Sequence, residues 1–302
     1  MRIGFHVSVG KGLAPAARRA HAIGCECLQI FVRNARGWRA RAYPDDEVDE
    51  FHRLLVEHGL APVVVHSSYL VNLASPHAEL LEKSRQTMAD DMARAARLGS
   101  PMVSVHSGHY MGAGLERGLR TLAASVRWVL DRAPNGVDLL LENAAGQGHQ
   151  LGSDWEEFAR LLDELGGDGR VGICLDTCHA HAAGYRLDSA RWVGRALRGF
   201  GAALGMERLR LIHLNDSRGP AGGKVDRHEH IGRGTIGDRG LRALLRRRDL
   251  QGICAILETP VDRANDDARN IRHVRRLIGK GAKRGKPAAR RRAQVPHASG
   301  GN

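Results

Sequence analysis

Apolar positions along the chain follow two rhythms. Short bursts recur as RIGFHVSV (2–9), CECLQIFV (25–32), APVVVHSS (61–68), PMVSVHSG (101–108), VDLLLENA (137–144), RVGICLDT (170–177), RLRLIHLND (208–216) and ICAILETP (253–260). Between them apolar residues return every three or four positions, as in PHAELLEKSRQTMADDMARAARL (76–98). The first rhythm suits strands buried in a parallel sheet, and the second suits helices packed on it. For the quoted helix, Pro76 suits the first helical position and Gly99 the exit. Eight strand–helix units predict an α/β fold of the (β/α)8 type, a TIM barrel, over residues 1–278. An open doubly wound sheet fits less well, because no linker sets off a second domain.

Six of the eight bursts end in the same kind of residue: His66, His106, Glu142, Asp176, His213 and Glu258. In a closed parallel barrel those ends surround one mouth, so a metal site is expected at the C-terminal face of the strands. Buried acids and imidazoles are costly unless something satisfies them. One such residue is ordinarily a hydrogen-bonded rim group, but six at the same end of successive strands point to a shared ligand. Three more join from adjacent loops: His179, three residues past Asp176, and the Asp226/His228 pair, whose spacing puts both on one side of an extended segment. A catalytic zinc takes three protein donors and keeps one position open. Nine donors therefore overfill one site and suit about three ions with one shared carboxylate. Imidazole and carboxylate donors fit Zn²⁺ and admit Mn²⁺ or Fe²⁺; Cys174 and Cys178 read as packed thiols. Three divalent ions against four carboxylates leave the cluster net positive, which favours phosphodiester cleavage over chemistry on neutral sugars.

Composition changes the picture in two places. Of the net charge of +13 over 302 residues, seven positive charges lie beyond residue 279 with no acid among them, leaving +6 on the body. Residues 279–302 lack hydrophobic periodicity and read as a disordered basic tail, either a solubilising appendage or a polyanion tether. Five cysteines, odd in number and mostly in strand-like runs, argue for reduced thiols and a cytoplasmic setting. Nothing approaches a membrane span or a secretory leader.

The stretches FHVSVGKGL, VHSSYLVNL, LLENAAGQG, CLDTCHAHAAGY, IHLNDS followed by VDRH, and ILETP occur in the order found in one known family. Over residues 1 to about 278 the chain resembles the endonuclease IV family of apurinic/apyrimidinic endonucleases (AP endonuclease family 2). The resemblance implies a zinc-dependent DNA-repair nuclease. Such an enzyme cleaves duplex DNA 5′ to an abasic site, leaves a 3′-hydroxyl and a 5′-deoxyribose phosphate, and trims blocked 3′ ends. It implies three Zn²⁺ per chain: His66 and His106 on one, sharing Glu142 with a second held by Asp176, His213 and Glu258, and a third on His179, Asp226 and His228. Glu142 would also take a proton from the attacking water. Arg36 and the pair Tyr69–Leu70 match positions that push into the base stack; without the resemblance, Tyr69–Leu70 reads as a cap on the core. The implied partner is double-stranded DNA, with no membrane, and the implied state is a monomer. HSSY carries Ser67 where the family commonly has an acid, which leaves the nine donors intact.

Two rival readings make different demands. A sugar isomerase or epimerase of the xylose-isomerase-like kind needs one or two metals and leaves His179, Asp226 and His228 without a purpose. A DNA-binding barrel that has lost catalysis would not be expected to keep all nine donors.

Overall fold

A computed structural model describes residues 1–279; the basic tail expected beyond them lies outside the described residues. The strands are β1 (Arg2–His6), β2 (Cys27–Phe31), β3 (Val63–His66), β4 (Met102–His106), β5 (Asp138–Glu142), β6 (Val171–Asp176), β7 (Leu209–His213), β8 (Asp216–Ser217), β9 (His228–Glu229) and β10 (Cys254–Leu257). Eight of them close into a parallel barrel in the order β1-β10-β7-β6-β5-β4-β3-β2. The other two, β8 and β9, form a short antiparallel hairpin within the segment after β7. The helices are α1 (Leu13–Ile23), α2 (Asp45–His58), α3 (Ala78–Arg97), α4 (Leu115–Leu130), α5 (Trp155–Glu164), α6 (Thr177–Ala183), α7 (Ala190–Leu204), α8 (Gly237–Leu245) and α9 (Asp266–Ile278). The expected TIM barrel is what the chain forms. Among the described residues, no helix is long and apolar enough to cross a membrane.

Strand residues alternate between two environments, as a period of two requires. Ile3, Leu28, Val65, Val103, Leu141 and Ile173 face outward and pack with helix residues such as Phe51, Met88 and Phe200. Cys27, Val64, Leu140, Cys174, Leu211 and Ile256 form a second packed group inside the barrel. That interior is full: a Cβ at Gly4 would lie 2.2 Å from the Cys27 carbonyl oxygen, so only glycine fits there. Two residues further along the inward parity come His6, Gln29, His66, Glu142, Asp176, His213 and Glu258, with His106 two past the inward Ser104. The apolar plug below and the polar ring above are thus one periodic pattern.

Two boundaries differ in detail from the sequence reading. Helix α3 starts at Ala78, and Pro76 lies outside it, because the Ser75 hydroxyl accepts the His77 N–H and holds a turn before the helix. Gly99 takes the left-handed conformation just past the helix end, as expected.

Candidate metal centre

Glu142 stands at the middle of the mouth. Its Oε2 lies 3.1 Å from His66 Nε2 and 3.7 Å from His106 Nε2, while Oε1 lies 3.1 Å from His213 Nδ1 and 3.4 Å from His179 Nδ1. Register explains the convergence: Glu142 pairs with His106 across β4–β5, and Asp176 pairs with His213 across β6–β7. Glu258 Oε2 is 3.3 Å from His213 Nδ1. A second focus forms where Asp226 Oδ1 comes within 3.1 Å of His179 Nε2 and 3.8 Å of His228 Nε2, with Asp176 Oδ2 3.5 Å from the latter.

Donor atoms close enough to share an ion fall into overlapping sets. His179, Asp226 and His228 form one, and Glu142, Asp176, His213 and Glu258 form another. In a third, His66 and Glu142 are joined by His213, where the sequence reading put His106; His106 stands further out and is more exposed. Cys178 also comes near Asp176 and His228, but burial pushes its thiol up to about 12, which keeps it a neutral packed group.

The hydrogen bonds orient the rings for metal. His66 Nδ1 donates to the Ser67 carbonyl, His179 Nδ1 to the Asn143 carbonyl and His228 Nδ1 to the Glu258 carbonyl. His213 Nε2 donates to Gln29 Oε1 at 2.8 Å. Each ring then turns its other nitrogen, as a lone pair, toward the carboxylates, the arrangement that fixes the tautomer of metal-binding histidines. Among the described residues, His213 Nδ1 and His228 Nε2 are buried with no hydrogen-bond partner. Orphaned acceptors of this kind fit a cation.

Protonation follows from crowding. Burial pushes the Glu142 carboxyl up, but His213, His106 and His66 outweigh it and hold it well below the usual range. Burial likewise opposes ionisation of Asp226, yet His179 and His228 bring it down to about 2. Burial pulls His179 and His213 down, and the surrounding carboxylates, joined at His213 by the Cys174 thiol, more than reverse it. His106 has less compensation and falls to about 4. Without metal, protons on His179 and His213 balance the acids; a cation would displace them.

Local structure places the remaining donors. His179, expected in a loop, sits in the first turn of α6, whose N-terminus is capped by Asp176 Oδ1 accepting the His179 N–H. Asp226 and His228 lie on a long excursion between β7 and α8. There one fully buried carboxylate, Asp216, accepts the backbone N–H groups of Ser217, Gly232, Gly234, Ile236 and Gly237. The β8–β9 pairing sets Ser217 opposite His228. Asn215 donates to Asp176 Oδ2 and accepts from the Glu258 N–H. Gln29 also donates to Glu258 Oε1 at 2.7 Å. Sequence reading missed Gln29, Asn215 and Asp216; only Gln29 had a signal, its inward parity in CECLQIFV.

Arg36 and Tyr69 are exposed on two loops tied together where the Tyr69 N–H donates to the Ala35 carbonyl. The Tyr69 ring is half exposed and lies 5.8 Å from the His66 ring and 5.5 Å from that of His106. Leu70 is half-buried beside it. Behind Arg36, the buried Arg33 pairs with Asp91 and Asp90 on α3 and donates to the Trp38 carbonyl.

Barrel and donor set together define a class: a xylose isomerase-like TIM barrel, the description of the family model that matches residues 17–280. Within that class the relatives are specific. A probable endonuclease 4 of Methanoculleus marisnigri is 42% identical over 278 residues, covering 92% of this chain and 99% of the relative. An apurinic-apyrimidinic endonuclease of Caenorhabditis elegans is 40% identical over 261 residues, covering 85% and 66%. The crystal structure of endonuclease IV from Thermus thermophilus matches with a TM-score of 0.81 and 39% identity, covering 92% of this chain and 99% of that one. The chain belongs to the endonuclease IV family of apurinic/apyrimidinic endonucleases, as its motifs suggested. A D-tagatose 3-epimerase-like protein, at 20% identity and a TM-score of 0.67, covering 92% of this chain and 97% of that one, shares the fold alone.

Proposed function

We propose that this protein hydrolyses the phosphodiester 5′ to an abasic site in duplex DNA, leaving a 3′-hydroxyl and a 5′-deoxyribose phosphate, and trims blocked 3′ ends. The observation that carries the reading is the convergence of nine imidazole and carboxylate donors on one barrel mouth, more than a one- or two-metal sugar isomerase can use. His66 and His106 with Glu142 would hold one zinc, Glu142, Asp176, His213 and Glu258 a second, and His179, Asp226 and His228 a third. When bound, the ions supply Lewis-acid stabilisation of negative charge on the phosphate oxygens. Glu142 is buried and held ionised, which supports its taking the proton of the attacking water. Tyr69, Leu70 and Arg36 stand at the rim where a duplex would arrive, and the Tyr69–Leu70 pair has the apolar character of a stacking wedge. Such a wedge turns the abasic nucleotide toward the metals.

The test is incision of a duplex oligonucleotide carrying one abasic analogue, before and after prolonged chelation, with metal per chain measured alongside. About three ions per chain and chelator-sensitive incision support the reading. One ion with sugar isomerisation and no incision overturns it.

A further inference from the structure

Beyond the metal mouth, a cleft opens between α9 and the segment joining β9 to α8. Its inner part, about 240 Å³, sets Arg233, Arg269, Arg272 and Arg276 against a single carboxylate, Asp266. It adjoins an outer part of about 490 Å³ that adds two arginines, Arg218 and Arg263, and two carboxylates, Glu229 and Asp262, so the basic excess lies in the inner part. Arg269 pairs with Asp266. Arg233, Arg272 and Arg276 are exposed and make no ion pair among the described residues. On α9, Arg269, Arg272 and Arg276 follow i, i+3, i+7 spacing and share one face, opposite the buried Ile271, Val274 and Leu277. At the rise of a helix they span about 10 Å, close to three base-pair steps of a duplex at about 3.4 Å of axial rise each.

The cleft is rigidly tied to the metal centre. Asn270 accepts the Ile231 N–H, donates to Thr259 Oγ1 and meets His230 Nδ1 at 3.0 Å. His230 lies two residues past the donor His228, and Asp262 four past Glu258. Residues 280–302 contain no acid to neutralise the arginines.

We propose that this cleft seats backbone phosphates of the duplex flanking the incision, so that DNA leaves the mouth along the α9 side; the inference rests on the nuclease reading above. The test uses full-length, zinc-loaded protein carrying Arg233→Ala, Arg272→Ala and Arg276→Ala together, exposed positions whose truncation spares the fold. Binding is measured against salt for a long abasic-analogue duplex and for one too short to pass the metal mouth. The expected result is weaker binding of the long duplex, with a log–log salt slope reduced by about 0.9 per lost contact. Affinity for the short duplex, metal content and kcat at saturation stay unchanged. An unaltered slope on the long duplex, or an equal loss on the short one, overturns the proposal. The two readings fail separately: incision by the unmutated protein tests the nuclease, and the salt slope on the long duplex tests the cleft.

Discussion

Asp216 offers the sharpest test of how the third donor set is held. Its Oδ2 accepts the N–H groups of Gly232 and Gly234 at 3.0 and 3.1 Å, and Oδ1 those of Ser217, Ile236 and Gly237 at 2.9 to 3.2 Å. Asp216→Asn keeps the shape but turns one oxygen into an amide donor facing two donors. Each buried N–H left unsatisfied costs about 1–3 kcal/mol, so the substitution destabilises the excursion by about 3 kcal/mol after relaxation. The barrel ladder does not depend on this segment, so the loss is local. Expressed through Asp226 and His228, it lowers affinity at their site on the order of 100-fold. Titration with zinc, read by metal analysis, should then show about one ion fewer per chain than the parent, and hydrogen exchange should accelerate over residues 216–237. Gly234→Ala provides an independent route to the same result, because a Cβ there would lie 2.3 Å from the Ser217 carbonyl oxygen and 2.5 Å from Asp216 Oδ1. Full occupancy of all sites at limiting zinc, with unchanged exchange in both variants, would refute the reasoning.

Other perturbations separate the remaining parts. Glu142→Gln should abolish incision, and near-normal turnover by that variant would remove Glu142 from the chemistry. Tyr69→Ala/Leu70→Ala should weaken binding of abasic duplex while metal content holds; equal affinity would leave these residues as a cap on the core. Arg33→Leu strands the fully buried Asp91 without its partner and should cost about 3–5 kcal/mol, on the order of 10 °C in Tm; a Tm within a degree of the parent's contradicts the pairing. In chelated protein, His179 and His213 are raised above their unfolded value. The stability they add is fully present below about pH 6.5 and is lost as pH rises through the raised folded values. The Tm of chelated protein should therefore fall from neutral toward alkaline pH more steeply than that of the loaded protein, and parallel curves would count against this.

The barrel was legible because burial writes itself into the sequence twice, as strand bursts and as helical spacing. The mouth was legible because the inward parity switches from Cys174 to Asp176, from Leu211 to His213 and from Ile256 to Glu258 within two residues. Gln29 obeys the same parity, yet an amide amid apolar neighbours carries no sign that it will meet His213 across the barrel. Asp216 was illegible for a different reason: its partners are backbone N–H groups up to 21 residues away, and backbone groups leave no trace in side-chain pattern. The short helix α6 was hidden because TCHAHAA is too brief to show a period, although the Asp176 cap and the i+3 position of His179 contained its geometry.

Charge balance sets the order in which the centre comes apart. Five imidazole donors, with His6 beside them, and four carboxylates share the mouth, and with neutral rings the acids would be uncompensated at several kcal/mol each. Protons on His179 and His213 can offset this, but Ser67, Asn143, Glu258 and Gln29 oxygens already take one N–H from each of four rings. In the neutral rings the second nitrogens are then lone pairs facing acids, where a divalent cation neutralises more charge per site than a proton. Two of the three proposed sites draw their donors almost wholly from strand ends locked in the barrel ladder. The site of His179, Asp226 and His228 takes two donors from an excursion anchored by Asp216. Gradual chelation should accordingly remove that ion first, and the Asp216→Asn protein should match the chelated parent at its first step and diverge from it at the second.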